Sequence, residues 1–190
     1  MSDPESRVVA VSIATARTVP WRGQSVSTGI YKHPTDGRVR LRRLGLEGDE
    51  QADLEAHGGP LKAVYAYPSE HYAFWRKELP GTDLPWGAFG ENLTTTGLDE
   101  DRVRVGDRFR IGSAVLAATK PRFPCYKLGI KFGREDLVPR FLASGRTGFY
   151  LKVLEEGSLA AGDAIVPLGG DPGQPRIADL VAERRRAEGA

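Results

Sequence analysis

Cysteine is almost missing from this chain: Cys125 is the one thiol in 190 residues. A single cysteine excludes an internal disulfide and points to a reducing cytoplasm. It also excludes the cysteine cluster of an iron–sulfur centre, and no flavin fingerprint or haem motif stands in its place. Histidine is scarce too, at three residues. Long apolar runs are absent: none approaches the ~20 residues of a membrane span. Met1–Ser6 is polar and acidic, without the apolar stretch of a secretory signal. Membrane partners are therefore not expected. Excess charge is absent as well, and a formal net charge of +2 argues against a general nucleic-acid binder. Repeats and low-complexity tracts are not found.

What is present suits a globular chain with a real core: 40% hydrophobic and 27% charged residues. The length suits one domain with a small appendage, here residues 1–168 followed by a linker and short helix over 169–190. The 23 glycines and 13 prolines mark many tight turns. Alternating, β-branched segments predict strands at Arg7–Ala16, Thr28–Lys32, Arg38–Leu44, Lys62–Tyr67, Arg102–Val105, Arg108–Ile111, Ala114–Thr119, Gly148–Leu154 and Ala164–Leu168. Thr18–Ser27 reads as a loop around Trp21. Helices are expected at Glu70–Leu79, capped by Ser69, at Tyr126–Phe132 and at Glu135–Ala143. Tyr72, Trp75 and Leu79 recur at helical spacing and read as core. A last helix, Ile177–Ala187, carries Arg184, Arg185 and Arg186 in a row and is expected to be peripheral. Strands outnumber helices. The class is mainly β, and closely spaced glycine turns favour a closed or nearly closed β-barrel.

The most informative stretch is Lys120-Pro121-Arg122-Phe123-Pro124-Cys125-Tyr126-Lys127-Leu128. Proline fixes its own φ and pushes the preceding residue into extended structure. Arg122 and Cys125 thus sit on a stiff loop. A lone cysteine is most often a small buried hydrophobe. Against that, Lys120, Arg122 and Lys127 surround this one, and it stands at a helix start, where the thiolate is favoured.

Other fragments occur in a fixed order around this stretch: Gly45-Leu46-Glu47-Gly48-Asp49, His57-Gly58-Gly59, Phe89-Gly90-Glu91-Asn92-Leu93, Val105-Gly106-Asp107, Gly148-Phe149-Tyr150 and Ala161-Gly162-Asp163. The ordered set resembles the MOSC domain, named for the C-terminal domain of molybdenum cofactor sulfurase, in its bacterial YiiM-type branch. The resemblance runs from about residue 7 to residue 168. It implies a distorted closed β-barrel, of pyruvate-kinase-barrel type, with a few peripheral helices. It implies molybdenum cofactor (molybdopterin) binding, with Cys125 as metal ligand. YiiM-type proteins are similar to amidoxime-reducing enzymes, so the substrate implied is a small N-hydroxylated molecule. The chain departs from that branch in ending after one helix where a three-helix segment is usual.

The chemistry of the residues fits these expectations. A thiolate is a soft ligand suited to a metal already held by sulfur. Lys120, Arg122 and Lys127 can neutralise the cofactor's phosphate, and Tyr126 lies among them. Gly58 and Gly59 offer main-chain N–H groups without a Cβ, although paired glycines more often simply turn the chain. His57 can donate to the cofactor or shuttle a proton, or it can be a structural histidine. Glu91 and Asn92 can read the pterin edge, or they can stabilise a turn. Glu47 and Asp49 can donate protons, but they also suit a polar turn. The main expectation is a molybdenum-dependent reductase that takes electrons from a separate donor protein and acts in the cytoplasm, with a homodimer left open. Persulfide sulfur transfer on Cys125 and non-catalytic cofactor carriage are the alternatives.

Overall fold

A computed structural model describes residues 6–52 and 58–189. In chain order the elements are β1 (Arg7–Ile13), β2 (Arg17–Trp21), β3 (Gln24–Thr28), β4 (His33–Pro34), β5 (Val39–Arg42), β6 (Gly45–Leu46), a 3-10 turn (Pro60–Lys62), β7 (Val64–Pro68), α1 (Glu70–Glu78), β8 (Leu93–Thr96), β9 (Arg108–Ile111), β10 (Ala114–Pro121), α2 (Tyr126–Phe132), α3 (Leu137–Ala143), β11 (Phe149–Glu155), β12 (Gly157–Leu159), β13 (Ile165–Pro167) and α4 (Ile177–Glu188). The protein is mainly β with few helices.

Eight strands form one sheet in the order β13-β9-β10-β11-β7-β8-β1-β4. All pairs are antiparallel except β7 with β8. Smaller sheets are β12-β5-β6 and the β2-β3 hairpin. The expected barrel closure is not a continuous ladder. The first strand meets the last through one bridge, Arg7 to Ala164. Three flanking bonds reinforce it, Val8 N–H to Asp163 O at 2.9 Å, Gly162 N–H to Val8 O at 2.8 Å and Ile165 N–H to Ser6 O at 2.7 Å.

The chain forms two cores. One is aliphatic and lies on the large sheet, with Val8, Leu41, Leu93, Leu116 and Leu151 buried. The other is aromatic and lies between β7 and the helices α1, α2 and α3. It contains Tyr65, Tyr67, Tyr72, Trp75, Phe89 and Phe141. The α1 sequence places Tyr72 and Trp75 one turn apart, and both are fully buried together with Leu79. In α3, Pro139 falls in the first turn, where its missing N–H breaks no bond.

Four expectations change. Thr18–Ser27 is a hairpin and not a loop. Residues 29–32 and 102–105 lie outside the strands. Ser69 makes no side-chain cap on α1. The C-terminal helix is not peripheral: Ile177 and Val181 are buried in the aliphatic core. The start of α4 is also stitched down, by Ile177 N–H to Val103 O at 2.8 Å and Ala178 N–H to Glu100 O at 2.9 Å. Of its consecutive arginines, Arg184 and Arg186 are exposed, while Arg185, one turn after Val181, is half-buried. Among the described residues, no helix is long and apolar enough to cross a membrane.

Cutting the chain after Leu168 removes both buried aliphatic side chains. Each is worth about 1.5–3 kcal/mol, so the truncated chain should lose roughly 3–6 kcal/mol. Chemical denaturation should show a much earlier or non-cooperative transition. Unfolding at the full-length midpoint would show that α4 contributes nothing to the core.

Candidate functional site

Three adjacent strands bring the site together. Tyr65 on β7 and Tyr150 on β11 are direct cross-strand partners. Both rings therefore leave the same face of the sheet, and their centroids are 5.7 Å apart. The start of β11 can approach β7 this closely because residue 148 is glycine. Gly148 has φ +64°, and a Cβ there would stand 2.5 Å from Ala66 O and 2.7 Å from the Tyr65 ring. On the other side of β11, β10 shifts register between Ala118 and Lys120 and ends at Pro121. A bulge of this kind re-aims the residues beyond it. Arg122 then donates its N–H to Gly148 O at 3.1 Å.

The Arg122 side chain is buried, at 5% exposure. Its guanidinium lies 5.2 Å from the Tyr65 ring centre and hydrogen-bonds Tyr150. Among the described residues no carboxylate pairs with it, and its Nη1 has no hydrogen-bond partner. Burial opposes its charge, while Tyr65, Tyr150 and Cys125 favour it, and the balance lifts its pKa above the ordinary value. Arg122 is thus a permanent cation. Cys125 follows at the N-cap of α2 in extended conformation, half-buried.

These groups line one cleft of about 590 Å³, its open mouth included. Lys62 and Lys127 stand in its wall. The cleft also carries a polar clamp. Asp49 Oδ1 accepts from Ala14 N–H at 2.9 Å and from Lys32 Nζ. Asp49 Oδ2 accepts from Asn92 Nδ2 at 2.9 Å. Asn92 Oδ1 in turn accepts from Tyr65 N–H at 3.1 Å. The Lys32 and Asp49 side chains are only 8% and 3% exposed. Burial pushes the Lys32 pKa down, with Asp49 and then Glu91 opposing.

The cleft accepts some of the expected site residues and leaves out others. Cys125, Arg122, Lys127 and Asn92 line it. Lys120 does not: it is exposed on β10. Tyr126 turns away, 50% exposed, into a groove beside Trp21 and Val138. Glu91 is fully buried and faces inward. It accepts from Gly87 N–H at 2.9 Å, Phe89 N–H at 3.1 Å, Thr94 Oγ1 at 2.9 Å and the Tyr72 hydroxyl. Glu91 thus fixes the loop that presents Asn92. The Gly59 N–H is taken by Gln51 Oε1 at 2.9 Å, and neither Gly58 nor Gly59 lines the cleft. His57 lies outside the described residues.

Several lining residues carry no clear signal in the sequence. Lys32 is hidden in an apolar run that reads as a strand. Tyr65 and Tyr150 read as ordinary core, although alternation already puts them on defined faces. Lys62 gives no local signal. Lys131 of α2 is half-buried, and its Nζ donates to Ile30 O and Gly87 O, both at 3.0 Å. It ties the cysteine-bearing helix to the cleft loops.

Known proteins share this fold and these motifs. The MOSC domain family model matches residues 53–166. Protein YiiM of Escherichia coli is 43% identical over 162 residues, covering 84% of this chain and 70% of that protein. A protein named Reductase from Gibberella moniliformis is 39% identical over 146 residues, covering 75% of this chain but 26% of that protein. The crystal structure of YiiM from Geobacillus stearothermophilus superposes with a TM-score of 0.80 at 31% identity, covering 97% of this chain and 86% of that one.

Because Glu91 serves four donors in the core, Glu91→Ala should destabilise the protein by about 3–5 kcal/mol. Glu91→Gln, which keeps an acceptor oxygen, should cost clearly less. Thermal unfolding of both variants checks this. An alanine variant as stable as wild type would deny Glu91 its structural role.

Proposed function

Since the chain belongs to the MOSC domain family, we propose that it is a molybdenum-cofactor reductase that removes oxygen from small N-hydroxylated molecules. The observation that carries this reading is the unpaired Nη1 of buried Arg122, in the wall of the cleft that holds Cys125. Leaving a buried donor unsatisfied costs about 1–3 kcal/mol, and more for a charged group. Such an expense is sustained where a ligand completes the hydrogen bond. The ligand that fits is anionic, because the group facing it is a fixed cation.

The molybdenum cofactor suits this donor set. Arg122 would hold its anionic groups, with Lys62 and Lys127 adding charge along the wall. Cys125 would supply the soft sulfur ligand. When bound, the cofactor supplies the two-electron redox centre that the side chains lack. The protein's own part is to orient and to exclude. Proline on either side of the Arg122-Phe123 pair fixes the approach of the thiolate. Tyr65 and Tyr150 back the guanidinium, and the Asn92–Asp49–Lys32 clamp shapes another part of the lining. The sequence carries no motif for a second redox group, so electrons come from a separate donor protein. Similarity to YiiM and to a protein named Reductase supports the reductase class.

Two substitutions test the reading. Cys125→Ser exchanges a soft sulfur for a hard oxygen at nearly constant size. After expression in a cofactor-competent host it should fold normally, carry less molybdenum and reduce no hydroxylaminopurine or amidoxime. Wild-type turnover by this variant would remove Cys125 from the reaction. A wild-type protein without molybdenum but with labile sulfur on Cys125 would instead indicate sulfur transfer. Arg122→Met replaces an unpaired buried charge by an apolar chain of similar length. Its melting temperature should be unchanged or higher, while its pterin content should fall sharply. A variant with full pterin content would show that the free Nη1 serves no anion.

A further inference from the structure

Removing oxygen from an N–OH group consumes protons as well as electrons. The substrate R–NH–OH takes up two electrons and two protons and gives R–NH2 and water. The N–O bond breaks, one proton goes to nitrogen and one to the departing hydroxyl oxygen. On the reductase reading, the electrons come from the donor protein. The protons must arrive inside the cleft, and the departing oxygen is the poorer leaving group until it is protonated.

Few groups in the cleft can release a proton near neutrality. Arg122 cannot. The Tyr65 hydroxyl is committed to Thr147 O at 2.7 Å, and burial raises its pKa far up. Glu50 is exposed, and its carboxylate accepts from Ala16 N–H at 2.7 Å. Cys125 is reserved for the metal. Of the lysines that line the cleft, Lys62 and Lys127 are half-exposed, and Lys32 stands apart. It lines the cleft wall, is almost fully buried, and is gripped by an Asp49 that Ala14 and Asn92 hold from two other sides. Its own backbone is fixed as well: Lys32 O lies 3.0 Å from where a Cβ would stand on Gly87.

We infer that the Lys32 ammonium, positioned by the Asp49–Asn92 clamp, is the acid that protonates the departing hydroxyl oxygen. This rests on the reductase reading. Asp49 and Asn92 are positioning residues, and Lys32 Nζ is the atom that gives up the proton. It regains one from water in the open cleft, and the same water serves the nitrogen. The charged groups around Lys32 are consistent with this role. Burial works to release its proton, Asp49 and Glu91 hold it, and the Lys32 charge in turn lowers the pKa of Lys131. A lysine brought below its ordinary pKa is a better acid at neutral pH than an exposed one.

The decisive variant is Lys32→Arg in the cofactor-loaded protein. It keeps the charge and the pairing with Asp49 but does not release its proton. Molybdenum and pterin content should match wild type and KM should change little, while kcat falls by about 10²–10⁴-fold. Wild-type kcat should fall as pH rises through the Lys32 pKa, because the acid must be protonated, and this limb should vanish in the variant. A readout independent of turnover is the 15N-detected titration of the Lys32 ammonium in cofactor-free wild-type protein. Its midpoint should lie below that of exposed lysines. A variant with wild-type kcat and the same pH limb would overturn the inference alone, and so would an ordinary Lys32 midpoint. Loss of cofactor in the variant would make Lys32 a cofactor-holding residue instead. A wild-type protein that carries molybdenum yet reduces nothing would overturn the reductase reading and this inference with it.

Discussion

A guanidinium withdrawn from water sets the terms for the rest of the cleft. Desolvating an ion costs several kcal/mol even after relaxation. Arg122 is given the face of Tyr65 and the hydroxyl of Tyr150, but no described carboxylate. That compensation is partial, so the position must be imposed by elements that cannot yield. Three adjacent strands impose it. The Tyr65–Tyr150 pair is fixed by β-ladder register, the backbone of Arg122 by Gly148 O, and the gap between β11 and β7 by the missing side chain of Gly148. Strands hold geometry better than loops, and Arg122, on the loop after β10, is tied to the strand-borne tyrosines.

The aromatic core supplies the stability that such a site draws on. Trp75 stacks on Phe141 at 5.1 Å and donates its indole N–H to the Tyr67 hydroxyl at 2.6 Å. Phe89 stacks on Phe132 at 5.7 Å. Pairs of this kind are worth about 0.5–1.5 kcal/mol beyond area burial. Tyr65 and Tyr150 belong to the same cluster and also line the cleft. The wall of the site is therefore the edge of a core and moves only if that core moves. Glu91 sits inside it and sets the loop that delivers Asn92. Lys131 draws α2, and with it Cys125, against the same loops.

Local patterns were legible in the sequence, and long-range ones were not. Helix α2 matches its expected span of Tyr126–Phe132, and Tyr72, Trp75 and Leu79 are core as their spacing requires. The β2–β3 hairpin was missed because its two-residue turn is Arg22-Gly23, with φ of 48° and 76°. Asparagine or aspartate usually announces such a turn. Lys120 and Arg122 are two apart and should share a face, but β10 ends at Pro121, between them. Glu91 and Asn92 are neighbours of similar polarity with opposite fates. Tyr72 and Thr94 draw one into the core, while Asp49, 43 positions away, draws the other to the cleft. The order of motifs resembles the family that the chain belongs to, and the Cys125 and Arg122 it singles out both line the cleft. It carried no information on Lys32, whose burial depends on Asp49 and on the Gly87 turn.

The cations near the cleft divide by what they can do with a proton. Arginine keeps it under all conditions, whereas lysine yields it when buried. Lys131 shows how far this goes. Burial brings its pKa down to about 8, with Lys32, Arg17 and Arg122 adding to the effect and Glu91 resisting. Between about 8 and the ordinary lysine value of 10.5, Lys131 is neutral in the folded chain and charged in the unfolded one. The unfolded state then binds the extra proton, so this group's contribution to stability rises with pH across that window and is at its lowest below it. At neutral pH the fold therefore holds Lys131 charged against its own stability, beside an Arg122 that is incompletely compensated and a Lys32 that burial disfavours. Burial thus disfavours the charge of Lys32 and Lys131, while Arg122 keeps its charge with one N–H unmet. An anion bound in the cleft would complete that N–H and favour the charged form of both lysines.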